Sequence, residues 1–246
     1  MDLPAEVVIW TSSHGTDYHH LPAELEKIYS KNTNMQEYLN KPLINTKPGR
    51  LMNSQFMQDF SSDFQTINPS STRLSIILMG DNDLRCLGVS GCYRVLNNTR
   101  KLIKLHENSQ HALLIFGLMP SPATHHQTSG HADYCDFRVR KEIERAHEID
   151  KSRNIGFVKT SVFFDDPQGF IRNRYYFCPD GVHLKPAGAK CLAKNILNKS
   201  FSFLQVISGS SALGFTRKQK EGKLQAGKPG GQPDQQPPFK TTVLTH

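Results

Sequence analysis

The stretch "RLSIILMG" (73–80), which runs straight into "GDNDLR" (80–85), decides the fold. Its apolar residues are continuous rather than alternating, which suits a strand buried on both faces of a parallel sheet. The glycine and the carboxylates that follow mark the strand end. Working outward, "EVVIW" (6–10), "HALLIFGLMP" (111–120) and "IGFVKTSVFF" (155–164) read as further strands. Between them lie helical patterns. "PAELEKIYS" (22–30) places Leu25, Ile28 and Tyr29 on one side, and "YRVLNNTRKLIKLHEN" (93–108) repeats Val95, Leu96, Leu102, Ile103 and Leu105. "YCDFRVRKEIERAHEIDKSR" (134–153) and "PAGAKCLAKNILNKSF" (186–201) follow, the second with Pro186 suited to a first helical turn. Strands alternating with helices predict an α/β domain, a three-layer α/β/α sandwich with a mainly parallel central sheet. Two stretches, 40–72 and 120–132, lack clear periodicity and are expected as irregular, function-bearing loops.

Composition bounds the rest. The folded part is expected over residues 1–207. From 208 to 246 the chain turns to Gly, Gln, Pro, Ser and Lys and reads as a disordered basic tail. From Arg217 onward six basic residues stand against two acids, so +4 of the chain's net +8 lies there. A solvated tail is the simpler account of that charge, and a weak nucleic-acid contact is the other. No apolar run approaches the roughly 18 residues that suggest a membrane span. The N-terminus "MDLPAEVVIW" lacks a basic leader, so an intracellular, cytoplasmic protein is expected. Five cysteines without a C-x-x-C pair argue for free thiols rather than a disulfide framework.

Four short motifs gather at strand ends or in the connections after them: "TSSHG" (11–15), "KPGRLMN" (47–53), "GDNDLR" (80–85) and "CPDGVHLKPAG" (178–188). In open α/β sheets ligands bind beyond the carboxyl ends of the strands. Asp180 and His183, three residues apart around Gly181, suit a carboxylate that fixes one imidazole nitrogen and leaves the other as base. Ser13 is the hydroxyl such a base would activate, with Ser12 the neighbouring alternative. Asn82 offers a side-chain amide and Gly49 an unobstructed N–H for an oxyanion. Asp81 and Asp83 are candidate helix caps. His19, His20, His125, His126 and His131 lack familiar metal-ligand spacing, and no metal or organic cofactor is expected. A G-x-S-x-G elbow is rejected, because only one strand precedes Ser13.

Those blocks resemble the SGNH, or GDSL-type, hydrolase superfamily over residues 5 to about 204. "GDNDLR" matches G-x-N-D, "DGVHLKPAG" matches the D-x-x-H block, and "LLIFGLMPSP" is similar to the strand and proline loop between them. The resemblance implies a flavodoxin-like fold in which Ser13 is nucleophile, Gly49 and Asn82 are oxyanion donors, and Asp180 and His183 complete the triad. It implies a serine esterase acting on small acyl esters, acetyl among them, through an acyl-enzyme. One block departs: where the family reads Gly-Asp-Ser, this chain reads Thr11-Ser12-Ser13. A required φ > 0 would oppose threonine there. The alternative is therefore a catalytically impaired SGNH-fold protein, of the kind associated with some retrotransposon-encoded proteins, whose basic tail binds nucleic acid.

Overall fold

The computed structural model describes residues 4–12, 20–68, 70–107, 109–120, 122–149, 153–164 and 173–207, with side chains at all of these except 122–129 and 173–174. The expected tail therefore lies outside the described residues. Five strands, β1 (Glu6–Thr11), β2 (Leu43–Thr46), β3 (Arg73–Leu78), β4 (Ala112–Phe116) and β5 (Ile155–Val158), form one sheet in the order β2-β1-β3-β4-β5. Every pairing is parallel. The α/β architecture read from the continuous apolar runs is the one observed.

Period-two geometry sends successive side chains to opposite faces. Val7 and Ile9 of β1, Leu74 and Ile76 of β3, and Leu114 and Phe116 of β4 join one core. That core is closed by α1 (Leu21–Tyr29) and α8 (Pro186–Ile207), through residues such as Leu21, Leu25, Leu192 and Ile196. Val8, Trp10, Ile77, Leu113 and Ile115 join the other. It is covered by α3 (Ser54–Gln65), α5 (Val89–His106) and α6 (Pro122–Ile149). Three short helices, α2 (Thr33–Gln36), α4 (Asp81–Leu87) and α7 (Asn173–Tyr176), and one 3-10 turn (Ser161–Phe163) complete the described elements.

Both stretches expected to be irregular are corrected. Residues 40–72 hold β2 and α3, and α3 is started by Asn53, whose side chain accepts from the Phe56 N–H at 3.0 Å. Residues 122–132 are the first turns of α6, with Pro122 at its start, where a missing N–H costs nothing. The helix expected over 93–108 begins earlier and is preceded by α4, the two separated at Gly88.

Three buried or half-buried carboxylates shape the connections that leave the strands. Asp83 is fully buried, and its Oδ2 accepts from the Met52 N–H at 2.8 Å, while Asn98 Nδ2 donates to the Met52 carbonyl at 2.5 Å. Both polar main-chain groups of Met52 are thus held by side chains from the α4–α5 unit. Asp81 Oδ1 accepts from Met119 N–H at 2.8 Å, and Asp136 Oδ1 from Leu118 N–H at 2.9 Å, so two carboxylates grip consecutive amides just beyond β4. Neither Asp81 nor Asp83 is the helix cap that the sequence suggested; Gly80 occupies that position. Burial pushes both gripping acids up to about 7; the two N–H donors oppose this, and the Asp136 charge adds to the effect at Asp81.

Two outcomes are expected. Asp83→Ala leaves the Met52 N–H buried without an acceptor and should cost about 1–3 kcal/mol in denaturant unfolding, with Asp83→Asn costing less. Asp81 is protonated more readily when folded than when unfolded, so its contribution is full below about pH 4 and is lost as pH rises towards 7. Asp81→Asn should therefore gain stability over wild type as pH rises through that window. The ceiling is about 4 kcal/mol above pH 7, and the gain should vanish near pH 4 in paired urea titrations.

Candidate active site

β1 and β3 are neighbours, yet the connection from β1 leads to β2 on one side and that from β3 leads to β4 on the other. The crevice beyond their carboxyl ends is the topological switch point where open α/β sheets take ligands. On one side of it Thr11 ends β1 in extended conformation, and Ser12 follows, buried, with its carbonyl accepting from Thr46 Oγ1 at 2.5 Å. Among the described non-glycine residues only His20 has positive φ, so the threonine at the first position of this block carries no strain of that kind. Ser13 and His19 lie outside the described residues, as do the side chains of His125 and His126. His20 and His131 are exposed.

Asn82 stands on the other side of the crevice, two residues past the end of β3's exit glycine in the first turn of α4. Its Nδ2 donates to the Arg50 carbonyl at 3.3 Å. Gly49 sits in the preceding turn at φ 68, which Arg50 N–H closes by donating to the Lys47 carbonyl at 3.0 Å. The structure thus brings two of the expected residues, Gly49 and Asn82, into one hydrogen-bonded unit. The Asp83–Met52 grip anchors the same connection two residues further on. Sequence reading missed Met52 and Asn98, because nothing local to either marks a partner more than thirty positions away.

Asp180 and His183 are brought together directly. Asp180 Oδ1 accepts from the N–H groups of Val182 at 2.9 Å and His183 at 3.0 Å, and Oδ2 lies 2.6 Å from His183 Nδ1. Gly181, at φ 66, supplies the backbone conformation this tight turn needs. Cys178 N–H donates to the His183 carbonyl, Lys185 N–H donates to the Tyr176 carbonyl, both at 2.8 Å, and Phe177 bridges Leu184, which closes the turn into a small antiparallel loop. A Cβ on Gly188 would stand 2.4 Å from the Tyr176 carbonyl, so only glycine lets α8 start against that loop.

Burial pushes the Asp180 carboxyl up, but the Val182 N–H, the His183 ring and the His183 N–H outweigh it and hold the group down at about 2. An ionised carboxylate can only accept. Nδ1 of His183 therefore carries the proton of this bond, and in the neutral ring Nε2 is the nitrogen with the lone pair.

The direction of α8 locates this pair. Phe201, late in α8, packs edge-on against Tyr38 with ring centroids 5.3 Å apart, and the Tyr38 carbonyl accepts from Ala5 N–H at the amino end of β1. Cys191, early in α8, reaches the Phe163 carbonyl beyond the exit of β5 at 3.0 Å. The start of α8, and the Asp180–His183 turn before it, thus lie at the carboxyl end of the sheet, the end that also carries Gly49 and Asn82. Among the described residues no group of three or more His, Cys, Asp or Glu side chains is arranged to hold a metal, and no helix is long and apolar enough to cross a membrane.

No family model and no curated protein sequence matches the chain. Solved structures do. A protein from Slackia heliotrinireducens classed with the SGNH hydrolases aligns with a TM-score of 0.53 at 12% identity, covering 80% of this chain and 99% of that one. The acetyl xylan esterase AlAXEase aligns at 0.56 and 11% identity, over 78% of this chain and 98% of its own. The C-terminal catalytic domain of peptidoglycan O-acetyltransferase A from Streptococcus pneumoniae aligns at 0.53 and 14%, over 85% and 97%. Across so little shared sequence the agreement lies in the layered sheet and its connections, and on that ground the chain has the fold of the SGNH, or GDSL-type, hydrolases.

Proposed function

We propose that the chain is a serine hydrolase of small acyl esters, with Ser13 as nucleophile, His183 as general base, Asp180 as the group that orients it, and Gly49 and Asn82 as oxyanion donors. The observation that carries this reading is the Asp180–His183 hydrogen bond at the carboxyl end of the sheet, with the carboxylate ionised and the ring proton fixed on Nδ1. In that tautomer Nε2 takes the hydroxyl proton as Oγ attacks the ester carbonyl. The imidazolium that forms is stabilised by Asp180 and returns the proton to the departing alkoxide. Water then resolves the acyl-enzyme by the same steps. The Gly49 N–H and the Asn82 amide act on the developing oxyanion, and the Asn82–Arg50 bond supports the reading by tying both donors to one unit. Acetyl esters are the first substrates to try, since an acetyl xylan esterase and a peptidoglycan O-acetyltransferase share the fold.

Ser12 is the weaker candidate nucleophile, being buried at the strand end. A catalytically impaired protein is disfavoured by the ease with which Thr11 is accommodated in β1.

Purified protein should hydrolyse 4-nitrophenyl acetate, and Ser13→Ala should abolish turnover while thermal unfolding stays unchanged. Asn82→Ala should lose about 10²–10³ in kcat, the effect of one oxyanion donor. No turnover together with no labelling of Ser13 by a fluorophosphonate would overturn the reading. Because Asp180 is protonated only near pH 2, kcat/KM between pH 4 and 9 should carry no limb from this carboxyl. Asp180→Asn, which frees the ring to take the wrong tautomer, should cost up to about 10⁴ across that whole range.

A further inference from the structure

Two arginines of this chain meet the sheet at opposite ends and are treated differently. Arg73, at the amino end of β3, is buried and paired with two carboxylates, Glu6 at 2.9 Å and Asp63 at 2.5 Å. That is the ordinary structural use of a buried guanidinium, whose charge is compensated where it leaves water. Arg50, half-buried beside Gly49, has no carboxylate within ion-pair distance among the described residues. Among the described residues Asp59 is the acid that acts on its charge, from beyond that distance, and it accepts instead from Gln55 at 2.8 Å.

The Arg50 side chain is nonetheless held in place. Nη1 donates to both the carbonyl and the Oδ1 of Asn45, each at 3.0 Å, and the guanidinium lies over the Trp10 ring at 5.4 Å from its centroid. Both hydrogens of Nη1 are thereby spent on β2. The edge formed by Nε and Nη2 is left, two parallel N–H donors with the spacing of a carboxylate's two oxygens. Neither atom has a partner among the described residues, and Nε is buried. The indole beneath repeats the pattern: Trp10 is fully buried, and its Nε1–H lacks an acceptor among the described residues. Buried donors without acceptors are few in folded proteins and call for a reason. Here two belong to one stacked pair, which sits at the carboxyl ends of β1 and β2, one residue after a candidate oxyanion donor and three before the candidate nucleophile.

We propose that the Arg50–Trp10 pair is a subsite for an anionic group, a carboxylate carried by the ester substrate close to its scissile bond, gripped through the Nε–Nη2 edge. The substrate class is thus esters of acidic molecules rather than neutral ones. As a statement about substrate this rests on the hydrolase reading above, whereas the anion subsite stands without it. Burial depresses the Arg50 pKa, with Asp59 opposing, and a bound carboxylate relieves that penalty. Since Nε is shut off from solvent, engaging it moves the guanidinium on the indole. Trp10 is the chain's single tryptophan, so its emission reports the event.

The test has two arms on the full-length chain. In the first, Trp10 emission is followed during titration with sodium succinate, and with succinamide as the neutral control, at constant ionic strength. A saturable change with succinate alone, lost in Arg50→Gln and weakened in Arg50→Lys, is expected. No saturable change in the wild type, or an equal change in Arg50→Gln, would overturn the subsite. In the second, kcat/KM is compared for 4-acetoxybenzoate and phenyl acetate, two acetyl esters that differ by one carboxylate. The ratio favouring 4-acetoxybenzoate should fall roughly tenfold to a hundredfold in Arg50→Gln, mostly through KM. An unchanged ratio would show that Arg50 does not recognise the acid. Hydrolysis of neither ester and no labelling of Ser13 by a fluorophosphonate, with the succinate signal intact, would sink the hydrolase reading and leave the anion subsite standing. Thermal unfolding of both variants separates lost binding from lost fold, and Arg50→Lys carries the test should Arg50→Gln fail to fold.

Discussion

Burial of β1 on both faces is the constraint on which the rest of the molecule depends. Val7 and Ile9 face one core and Val8 and Trp10 the other, so neither face of the strand tolerates solvent, and helices must cover both. That requirement sends the chain over the sheet from strand to strand and makes every pairing parallel. Parallel strands in turn release all their exits at one end. The candidate site collects there because the connections do, and the switch between β1 and β3 opens the kind of crevice such a sheet offers a ligand.

What gives those connections their shape is a repeated use of carboxylates on main-chain amides. Asp83 holds Met52, Asp81 holds Met119, Asp136 holds Leu118, and Asp180 holds Val182 and His183. The four differ in exposure, and so in charge. Asp180, half in water and given three donors, stays ionised to about 2. Asp81, buried, and Asp136, half-buried near it, sit at about 7. The same hydrogen-bond pattern therefore yields a permanent anion where the imidazole needs one and near-neutral acids beneath the loop after β4.

The strands were legible because their apolar runs are continuous, and the Asp180–His183 pair because it closes over three residues. Other elements hid for physical reasons. β2 is a four-residue edge strand whose Leu43 points to solvent, 56% exposed, so its alternation carries little hydrophobic signal. In α3 three buried residues, Phe56, Met57 and Phe60, are diluted among Ser, Gln and Asp. The opening turns of α6 are poor in apolar residues and read as a loop until Pro122 is seen to start a helix. Within the site, Asn82 was visible as a motif, but its tie to Arg50, and the stacking of Arg50 on Trp10, join positions whose separations no local pattern records.

The packing of α8 on α1 has a consequence for synthesis. Leu21 and Leu25 of α1 share a core with Leu192, Ile196 and Leu204 of α8, so the first described helix is covered by the last one. While the ribosome is still making the intervening residues, one side of β1, β3 and β4 has only α1 to cover it, and the β1–β3 pairing, which spans more than sixty positions, must wait or form without α8. Until Pro186–Ile207 emerges the nascent chain keeps part of an apolar sheet face in water, and this is the stage at which a truncated or stalled product would aggregate.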